Sequence, residues 1–322
     1  MSTALAPLDS DRLLILAPHP DDESIATGGL IQVACAAGAA VRVLVLTDGD
    51  NNPWPQRWIE KRWRIDTAAR ARWGARRRDE ARTAMRILGL GDEGAGFLGL
   101  PDLGLTDLLM RGDQAVIQLL RATLDEFKPT LLVFPALSDR HPDHSAAYIL
   151  ARLALDRATL PPPRLLGFAV HGERSIGDTR VVLSAAQRET KRAAILAHDS
   201  QMRLSSSRFL AYAGERENYR ALPQAPAVDA EHPLRAVMDD AGRLRVQIDF
   251  KRWRGSMRDL AVFVALHDGT RLLQPLRLSP NGDAYNVTIE CGTAAAGYVK
   301  IALPQPGWRV FDRHGWQVIE RT

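Results

Sequence analysis

A histidine and three carboxylates stand together in the run APHPDDE at residues 17–23, directly after the apolar residues 13–16. Four consecutive aliphatic residues, followed by a polar cluster and an alanine-rich stretch, predict a buried strand, a sharp loop and a helix. The cluster therefore lies at the carboxyl end of a strand. In an open α/β sheet, ligands bind at this edge because loops and helix N-termini converge there. We expect the loop to hold a divalent metal and a catalytic base.

A second polar cluster, HPDH at residues 141–144, follows another predicted strand at residues 131–135. An alanine- and leucine-rich helix is predicted after it, ending near residue 155. The order of elements repeats that of the first cluster. Both clusters are therefore expected to leave the same edge of one parallel sheet.

Three side chains of the two clusters could bind one metal ion. His19 and Asp22 can turn toward a single point from their tight loop, and His144 arrives from the second loop. Two imidazoles and one carboxylate make up the three-ligand set of a catalytic zinc site, in which the fourth position is left for water. A structural zinc site would have a fourth protein ligand, and no cysteine lies near either cluster. We expect Zn²⁺, although another divalent metal would also suit these ligands.

Hydrolysis at such a site needs a base and a group that handles the leaving amine. A metal lowers the pKa of a bound water from about 15.7 to about 7, so Asp21, beside the ligand Asp22, is expected to be the general base. His141 is the second candidate, because its imidazolium could hold a developing oxyanion or protonate the amine, with Asp143 orienting its ring. Two alternatives stay open: Glu23 only caps the following helix, and Asp143 only supports a metal ligand.

Strand and helix patterns alternate over the first two hundred residues, which predicts an α/β domain with a parallel sheet at residues 1–225. Beyond residue 234, short β patterns are separated by turn signals such as Asp268-Gly269, Asn281-Gly282 and His314-Gly315. This region, residues 234–322, is expected to be an accessory all-β domain of the sandwich type. Its predicted strands are residues 244–250, 260–266, 272–278, 285–290, 298–303, 309–311 and 317–319.

An insertion at about residues 51–78 holds four of the seven tryptophans, interleaved with arginine and lysine. Residues 54–82 carry ten basic and four acidic side chains, a net charge of +6. The whole chain has a net charge of +4, so the rest of the chain has a net charge of −2. This distribution argues against a general nucleic-acid binder. One interpretation is a helical insertion whose indoles pack on the domain. The other is a lid in which Trp54 and Trp58 stack on a sugar or acyl group.

Composition places few further limits on the protein. It is 46% hydrophobic and 25% charged, as in ordinary globular proteins, and it contains only Cys35 and Cys291, too few for a disulfide framework. The first residues lack both a basic start and a sustained apolar stretch, and no run approaches the roughly 18 apolar residues of a membrane span. We expect a cytoplasmic protein without a membrane span.

The two clusters resemble the signatures of the PIG-L/LmbE-like family of metal-dependent N-deacetylases, an A-H-P-D-D-E loop and a later H-P-D-H. The one departure is Pro18 beside Ala17. The resemblance extends over about residues 12–220 and includes the Thr-Asp-Gly run at 47–49 and the Lys-containing helix that ends near Ser200-Gln201.

That resemblance implies a Rossmann-like, mainly parallel sheet with helices on both faces, zinc as the usual metal, and hydrolysis of an N-acetyl group from an amino sugar or glycoconjugate. Arg77 and Asp102 match positions that resemble sugar-contacting ones. The alternatives are an amidase acting on a non-sugar small molecule and, in a different class, a non-catalytic glycan-binding or scaffold protein. The expected partner is a small-molecule substrate and not a nucleic acid, and the sequence allows a homo-oligomer.

Overall fold

The computed structural model describes residues 3–172, 177–223, 228–252, 260–276, 284–302 and 314–322, and it shows an α/β fold with one large sheet and two small ones. The strands of the large sheet are β1 Thr3–Ala4, β2 Arg12–Ala17, β3 Ala40–Thr47, β4 Ala95–Leu100, β5 Leu131–Pro135, β6 Arg164–Phe168, β7 Thr179–Val182 and β8 Arg216–Leu222. The helices are α1 Asp22–Ala36, α2 Pro53–Glu60, α3 Thr67–Ile87, α4 Leu105–Met110, α5 Gln114–Phe127, α6 Pro142–Leu155, α7 Ala185–Leu196 and α8 Asp199–Leu210, with a 3₁₀ turn at Asp92–Gly94.

The large sheet is mainly parallel, as predicted. Its strand order is β1-β7-β8-β6-β5-β2-β3-β4, and β6, β5, β2, β3 and β4 all run in the same direction. Strand β8 is antiparallel to both of its neighbours, β6 and β7. The carboxyl ends of β2, β5 and β6 therefore lie side by side at one edge.

Helices cover both faces of this sheet, which explains why β2 is a continuous apolar run. Alternate residues of a strand point to opposite faces. Leu14 and Leu16 accordingly join the core formed with α4, α5 and α6, whereas Leu13 and Ile15 join the core formed with α1, α3 and α7. The predicted two-faced architecture is confirmed.

Helix α1 begins earlier than the sequence pattern suggested. The sequence pattern predicts a helix in the alanine-rich stretch after the 17–23 run, but α1 already starts inside that run, at Asp22, and it ends at Ala36, with Gly38 in a left-handed conformation at φ 82°. Asp22 and Glu23 occupy its first turn, where negative charge is stabilised by the helix dipole. The polar cluster thus belongs partly to the helix and not only to a loop.

The insertion at residues 51–78 is helical, forming α2 and the first half of α3. Trp73 is buried, but Trp54, Trp58 and Trp63 are 52%, 70% and 77% exposed. The interpretation that the indoles pack on the domain is therefore wrong for these three. The base of α2 is fixed by the buried Gln56 side chain, whose amide donates to the carbonyl oxygen of Ala69 at 2.7 Å.

The C-terminal region forms two four-stranded sheets, ordered β13-β10-β9-β16 and β12-β11-β14-β15, that share one apolar core. Its strands are β9 Leu234–Met238, β10 Arg243–Asp249, β11 Ala261–Leu266, β12 Arg271–Pro275, β13 Ala284–Glu290, β14 Gly297–Ala302, β15 Trp316–Val318 and β16 Glu320–Arg321. The predicted sandwich is confirmed, and Asp268-Gly269 joins β11 to β12 as expected. The predicted strand at 309–311 and the Asn281-Gly282 turn lie outside the described residues.

The sandwich packs against the α/β part of the chain through β11. Alternate residues of β11 enter two different cores: Val262 and Val264 lie inside the sandwich, whereas Phe263 joins Leu105 and Leu109 of α4. Strand β11 is thus buried on both faces. The division into domains at residues 1–225 and 234–322 stays a prediction, and the two parts share an apolar interface.

Of the helices in the described part of the chain, none combines the length and the apolar character that crossing a membrane requires.

Candidate metal centre

The loop after β2 is closed by hydrogen bonds within the APHPDDE run. The backbone N–H of His19 donates to Asp22 Oδ2 at 2.9 Å, and that of Asp21 donates to Glu23 Oε2 at 2.9 Å. Asp21 adopts φ 135°, a conformation that a residue with a Cβ rarely takes. This sharp loop points His19 and Asp22 toward the same place.

Three buried ligand atoms form a nearly equilateral triangle at the carboxyl edge of the sheet. His19 Nδ1 lies 3.3 Å from Asp22 Oδ2, Asp22 Oδ2 lies 3.2 Å from His144 Nε2, and His144 Nε2 lies 3.3 Å from His19 Nδ1. Ligand atoms about 2.0–2.1 Å from a tetrahedral zinc ion are about 3.3 Å apart. The donor set and its spacing therefore fit a tetrahedral divalent cation. The structure brings together the three residues that were predicted as ligands.

Charge at the triangle also suits a cation. Burial alone would raise the pKa of Asp22, but the His144 and His19 imidazoles outweigh it and hold that pKa well below its usual value. Burial lowers the pKa of His144, and the carboxylates of Asp139 and Asp22 reverse this and raise it to about 10. The site thus stabilises positive charge, which a metal ion would supply in place of the imidazole protons.

Each of the two imidazoles turns its other nitrogen toward buried carboxylates. His19 Nε2 lies 3.3 Å from Asp102 Oδ1 and 3.3 Å from Asp143 Oδ2, and His144 Nδ1 lies 3.1 Å from Asp139 Oδ2. Such a partner fixes the ring orientation and tautomer of a metal-ligating histidine and raises its basicity. The carboxylates support the ligand assignment independently of the triangle.

Asp139 is a functional candidate that the sequence reasoning missed. Its fully buried carboxylate accepts from the backbone N–H groups of His141 at 2.9 Å, Val170 at 2.7 Å and His171 at 3.1 Å, besides facing His144. It holds the two loops at the ends of β5 and β6 together. The sequence feature that could have identified Asp139 is its position two residues before the HPDH run.

His141 is buried among imidazoles, with ring centroids 4.6 Å from His19 and 5.1 Å from His144. Burial, together with these two neighbours, holds the pKa of His141 well below its usual value. Its Nδ1 accepts from the backbone N–H of Asp143 at 3.2 Å, so the hydrogen of the neutral ring is on Nε2. A neutral His141 would donate a hydrogen bond from Nε2, whereas the sequence analysis considered its imidazolium for the same role.

Asp143 orients the His141 ring through its backbone and not through its carboxylate. That carboxylate accepts from the N–H groups of Leu103 at 2.7 Å and Leu105 at 3.1 Å, and it faces His19. This geometry fits the alternative in which Asp143 supports a metal ligand, here the candidate ligand His19.

His171 is a second residue that the sequence reasoning passed over. It follows β6, the strand paired with β5, and its ring centroid lies 4.9 Å from that of His144. Its Nδ1 is 3.4 Å from Asp139 Oδ1. The rule that places ligands at the carboxyl ends of parallel strands would have found it, because β6 ends beside β5.

Asp21, the predicted base, is held by Arg77. The guanidinium of Arg77 donates to Asp21 Oδ2 at 2.8 Å and also to the carbonyl oxygens of Pro20 and Gly49. Burial raises the pKa of Asp21 to about 6, although Arg77 opposes the shift. The carboxylate is ionised at neutral pH and is a stronger base than an exposed aspartate. The buried Arg77 thus positions Asp21, and its predicted contact with the substrate stays a prediction.

Glu23 connects the backbone of Asp21 to a buried histidine. One of its oxygens accepts from the Asp21 N–H, as a helix cap does, and the other lies 3.0 Å from Nε2 of His198. His198 comes just before α8, and no sequence pattern marked it. Glu23 also accepts from the hydroxyl of Ser24 at 2.8 Å, so the capping interpretation accounts for only one of these three contacts.

The remaining predicted substrate contacts are divided between the site and its surroundings. Asp102 faces His19 with one oxygen and accepts from the Asn51 N–H at 2.7 Å with the other. Trp54 and Trp58 lie on the exposed surface of α2, the helix that begins soon after Asn51. Asp102 thus supports a ligand and also ties the insertion to the site.

Comparison with known proteins places these features in a family context. The model of the PIG-L family, described as GlcNAc-PI de-N-acetylase, matches residues 14–155, which include both polar clusters. A curated relative from Mycobacteroides abscessus, 1D-myo-inositol 2-acetamido-2-deoxy-alpha-D-glucopyranoside deacetylase, is 32% identical over 163 residues. The match covers 46% of this chain and 56% of the relative, so it spans little more than half the relative's length.

Two solved structures share the fold. N,N'-diacetylchitobiose deacetylase from Pyrococcus horikoshii superposes with a TM-score of 0.53 at 19% identity and covers 67% of this chain and 85% of its own. GalB, the 4-carboxy-2-hydroxymuconate hydratase from Pseudomonas putida, gives 0.50 at 19% identity and covers 71% of this chain and 100% of its own. At such identities the likeness shows the fold alone, and the reaction has to be argued from the site.

Proposed function

Because residues 14–155 match the PIG-L family model, we propose that the chain is a metal-dependent hydrolase that removes an N-acetyl or other N-acyl group from an amino sugar or glycoconjugate. The observation that carries the proposal is the triangle of His19 Nδ1, Asp22 Oδ2 and His144 Nε2, with sides of 3.2–3.3 Å. We propose Zn²⁺ as the ion, since two imidazoles and one carboxylate are the protein ligands of many catalytic zinc sites. When bound, it would polarise the amide carbonyl and lower the pKa of water.

The carboxylate of Asp21 would accept the proton of the attacking water. Arg77 binds Oδ2, which leaves Oδ1 as the oxygen that takes the proton. The hydrogen bond from the Asp21 N–H to Glu23 keeps the carboxylate in place during the transfer. Asp21 would then give this proton to the leaving nitrogen, so that the amine departs neutral.

His141 would stabilise the negative charge that develops on the amide oxygen. Its Nδ1 already accepts from the Asp143 N–H, so its Nε2–H is the group available to donate. A buried donor that is already oriented costs no reorganisation during the reaction. His141 can fill this role as a neutral imidazole.

The amino sugar is the part of the proposal that depends most on relatives. The Mycobacteroides relative is named a deacetylase of an acetamido glucopyranoside, a sugar amide. Contacts of Trp54 and Trp58 with the substrate stay predictions, as do the cytoplasmic location, the absence of a nucleic-acid partner and any homo-oligomer. An amidase acting on a non-sugar small molecule is the alternative within the same chemistry.

A mass-spectrometric screen of the full chain loaded with Zn²⁺ tests this proposal. We expect loss of an acetyl group from at least one N-acetyl amino sugar or glycoconjugate, and no loss when a chelator is present. Hydrolysis of simple N-acyl amines alone would favour the amidase. Absence of any amide hydrolysis by folded, metal-loaded protein would contradict the proposed reaction.

A further inference from the structure

An exposed aromatic and basic surface lies on α2 and on the loop that joins it to α3. It has three indoles that are 52–77% exposed, together with four basic side chains at least partly exposed. Exposed aromatic groups clustered in this way mark an interaction site more often than single exposed apolar residues do. We call this the tryptophan-arginine surface, and its residues are Trp54, Arg57, Trp58, Lys61, Arg62, Trp63 and Arg64.

The surface has a defined arrangement. The guanidinium of Arg57 lies 5.0 Å from the ring centroid of Trp54 and 5.1 Å from that of Trp63, so it links the helix to the loop. Lys61 ends the helix in a left-handed conformation with φ 52°. The buried Gln56 ties the underside of the helix to α3. The underside is thus anchored to the protein, and the indoles face outward.

Positive charge dominates the outward side. Lys61, Arg62 and Arg64 are all exposed. Two acidic residues lie nearby, and both have other partners. Glu60 accepts from Gln56 at 3.0 Å and pairs with Arg72 at 3.4 Å, and the Asp66 carboxylate accepts from the backbone N–H of Ala69 at 2.7 Å. The basic side chains are therefore left to meet an external anion.

We propose that the tryptophan-arginine surface binds the headgroup region of an anionic membrane. Indole rings are enriched at the membrane interface, where the apolar body lies among acyl chains and the polar edge stays hydrated. Arginine and lysine beside them are attracted by anionic lipid phosphates, and a basic and aromatic surface combines both contributions. Attachment of this kind requires no membrane-spanning helix.

A lipid surface fits this part of the chain better than a nucleic acid does. Nucleic acids bind along basic grooves that follow the phosphate backbone, but outside residues 54–82 this chain has a net charge of −2. The basic character is local and is mixed with large apolar side chains. These are the features of an interfacial anchor.

Membrane attachment would hold the candidate metal centre close to the lipid surface. Asn51, just before α2, donates from its backbone to Asp102, and Asp102 faces His19. The proposal goes beyond the hydrolytic function and does not depend on it, since binding can be measured without substrate.

Vesicle sedimentation of the full chain tests the proposal. We expect binding to phosphatidylcholine vesicles that contain phosphatidylserine, weaker binding to phosphatidylcholine alone, and release at high salt. The double variants Trp58→Ala/Trp63→Ala and Arg62→Ala/Arg64→Ala should each lower the partition coefficient about tenfold or more. The matched control Arg111→Ala/Leu119→Ala removes an exposed arginine and an exposed leucine elsewhere and should bind as the wild type does.

Several outcomes would overturn the proposal, provided that circular dichroism shows all variants folded. The first is that the wild type does not bind anionic vesicles. The second is that the control variant loses as much vesicle binding as the two surface variants. The third is that both surface variants bind as tightly as the wild type. Tighter binding of a single-stranded oligonucleotide, or a dimer lost in Trp58→Ala/Trp63→Ala, would assign the surface to another partner. If Trp58→Ala/Trp63→Ala raised the KM for a soluble substrate and bound vesicles as the wild type does, the indoles would be substrate contacts instead.

Discussion

At the scale of single residues, the candidate metal centre depends on imidazoles that are held at both ring nitrogens. His19 and His144 meet Asp22 on one side and the carboxylates of Asp143 and Asp139 on the other. The first set of contacts could be predicted from spacing, because the residues lie in two short runs at the ends of parallel strands. The second set could not, because it depends on which side-chain atoms face each other after the loops have folded.

Replacement of Asp139 tests this second set. We expect Asp139→Asn to weaken metal affinity by about 10- to 100-fold, because the His144 ring loses its charged partner. Competition with a chromophoric chelator measures the change. Asp92→Asn, which alters an exposed aspartate, serves as the control. Equal affinity in both variants would show that Asp139 contributes only to folding.

Replacement of Asp21 tests the assignment of the base. We expect Asp21→Asn to lower kcat by about 10²- to 10⁴-fold, since an amide cannot accept the proton. Metal content should stay unchanged, because the three ligands are intact. Single-turnover kinetics on metal-loaded protein separates the chemical step from product release. A variant that keeps wild-type kcat would remove Asp21 from the mechanism.

At the scale of elements, one buried carboxylate on strand β8 holds helix α1 against the sheet. Glu217 of β8 accepts from the backbone N–H groups of Gly29 at 2.6 Å and Leu30 at 2.9 Å, and it pairs with Lys191 of α7 at 2.5 Å. Because α1 carries Asp22, this contact also fixes a candidate ligand. The sequence pattern predicted the helix but not its start, since its first turn is polar and its register is set by the contact with β8.

A substitution at Gly29 tests how closely α1 must approach this carboxylate. An added Cβ would lie 2.6 Å from Leu183 Cδ2 and 2.9 Å from Glu217 Cδ. We expect Gly29→Ala to lower the free energy of unfolding by about 1–3 kcal/mol through overpacking. Urea denaturation measures the difference. Gly214→Ala, where a Cβ would meet nothing within 4 Å, should change it by less than about 0.5 kcal/mol.

At the scale of the whole molecule, the C-terminal sandwich supports the α/β part that holds the site. Alternating apolar residues allowed the strands to be predicted from sequence. The uninterrupted apolar run of β11 reflects a second interface, with α4, which periodicity within one strand cannot reveal. Arg271 adds a polar contact there, donating from Nε to the carbonyl oxygen of Leu109 at 2.8 Å.

Phe263 tests the energetic coupling between the two parts. This buried residue of β11 faces the core shared with α4, and we expect Phe263→Ala to lower the free energy of unfolding by about 3 kcal/mol. Leu273→Ala on the neighbouring strand β12 is the matched control, because Leu273 is 46% exposed. Urea denaturation followed by circular dichroism gives both values. A loss as small as that of the control would mean that the sandwich and the α/β part are energetically independent.

Metal content of the purified full chain tests the central claim, that His19, Asp22 and His144 form a metal site, most directly. After equilibration with Zn²⁺ and desalting, the wild type should retain about one ion per chain. His19→Ala and His144→Ala, shown to be folded by circular dichroism, should retain little, whereas His267→Ala should match the wild type. Unchanged zinc in folded His144→Ala would contradict the claim.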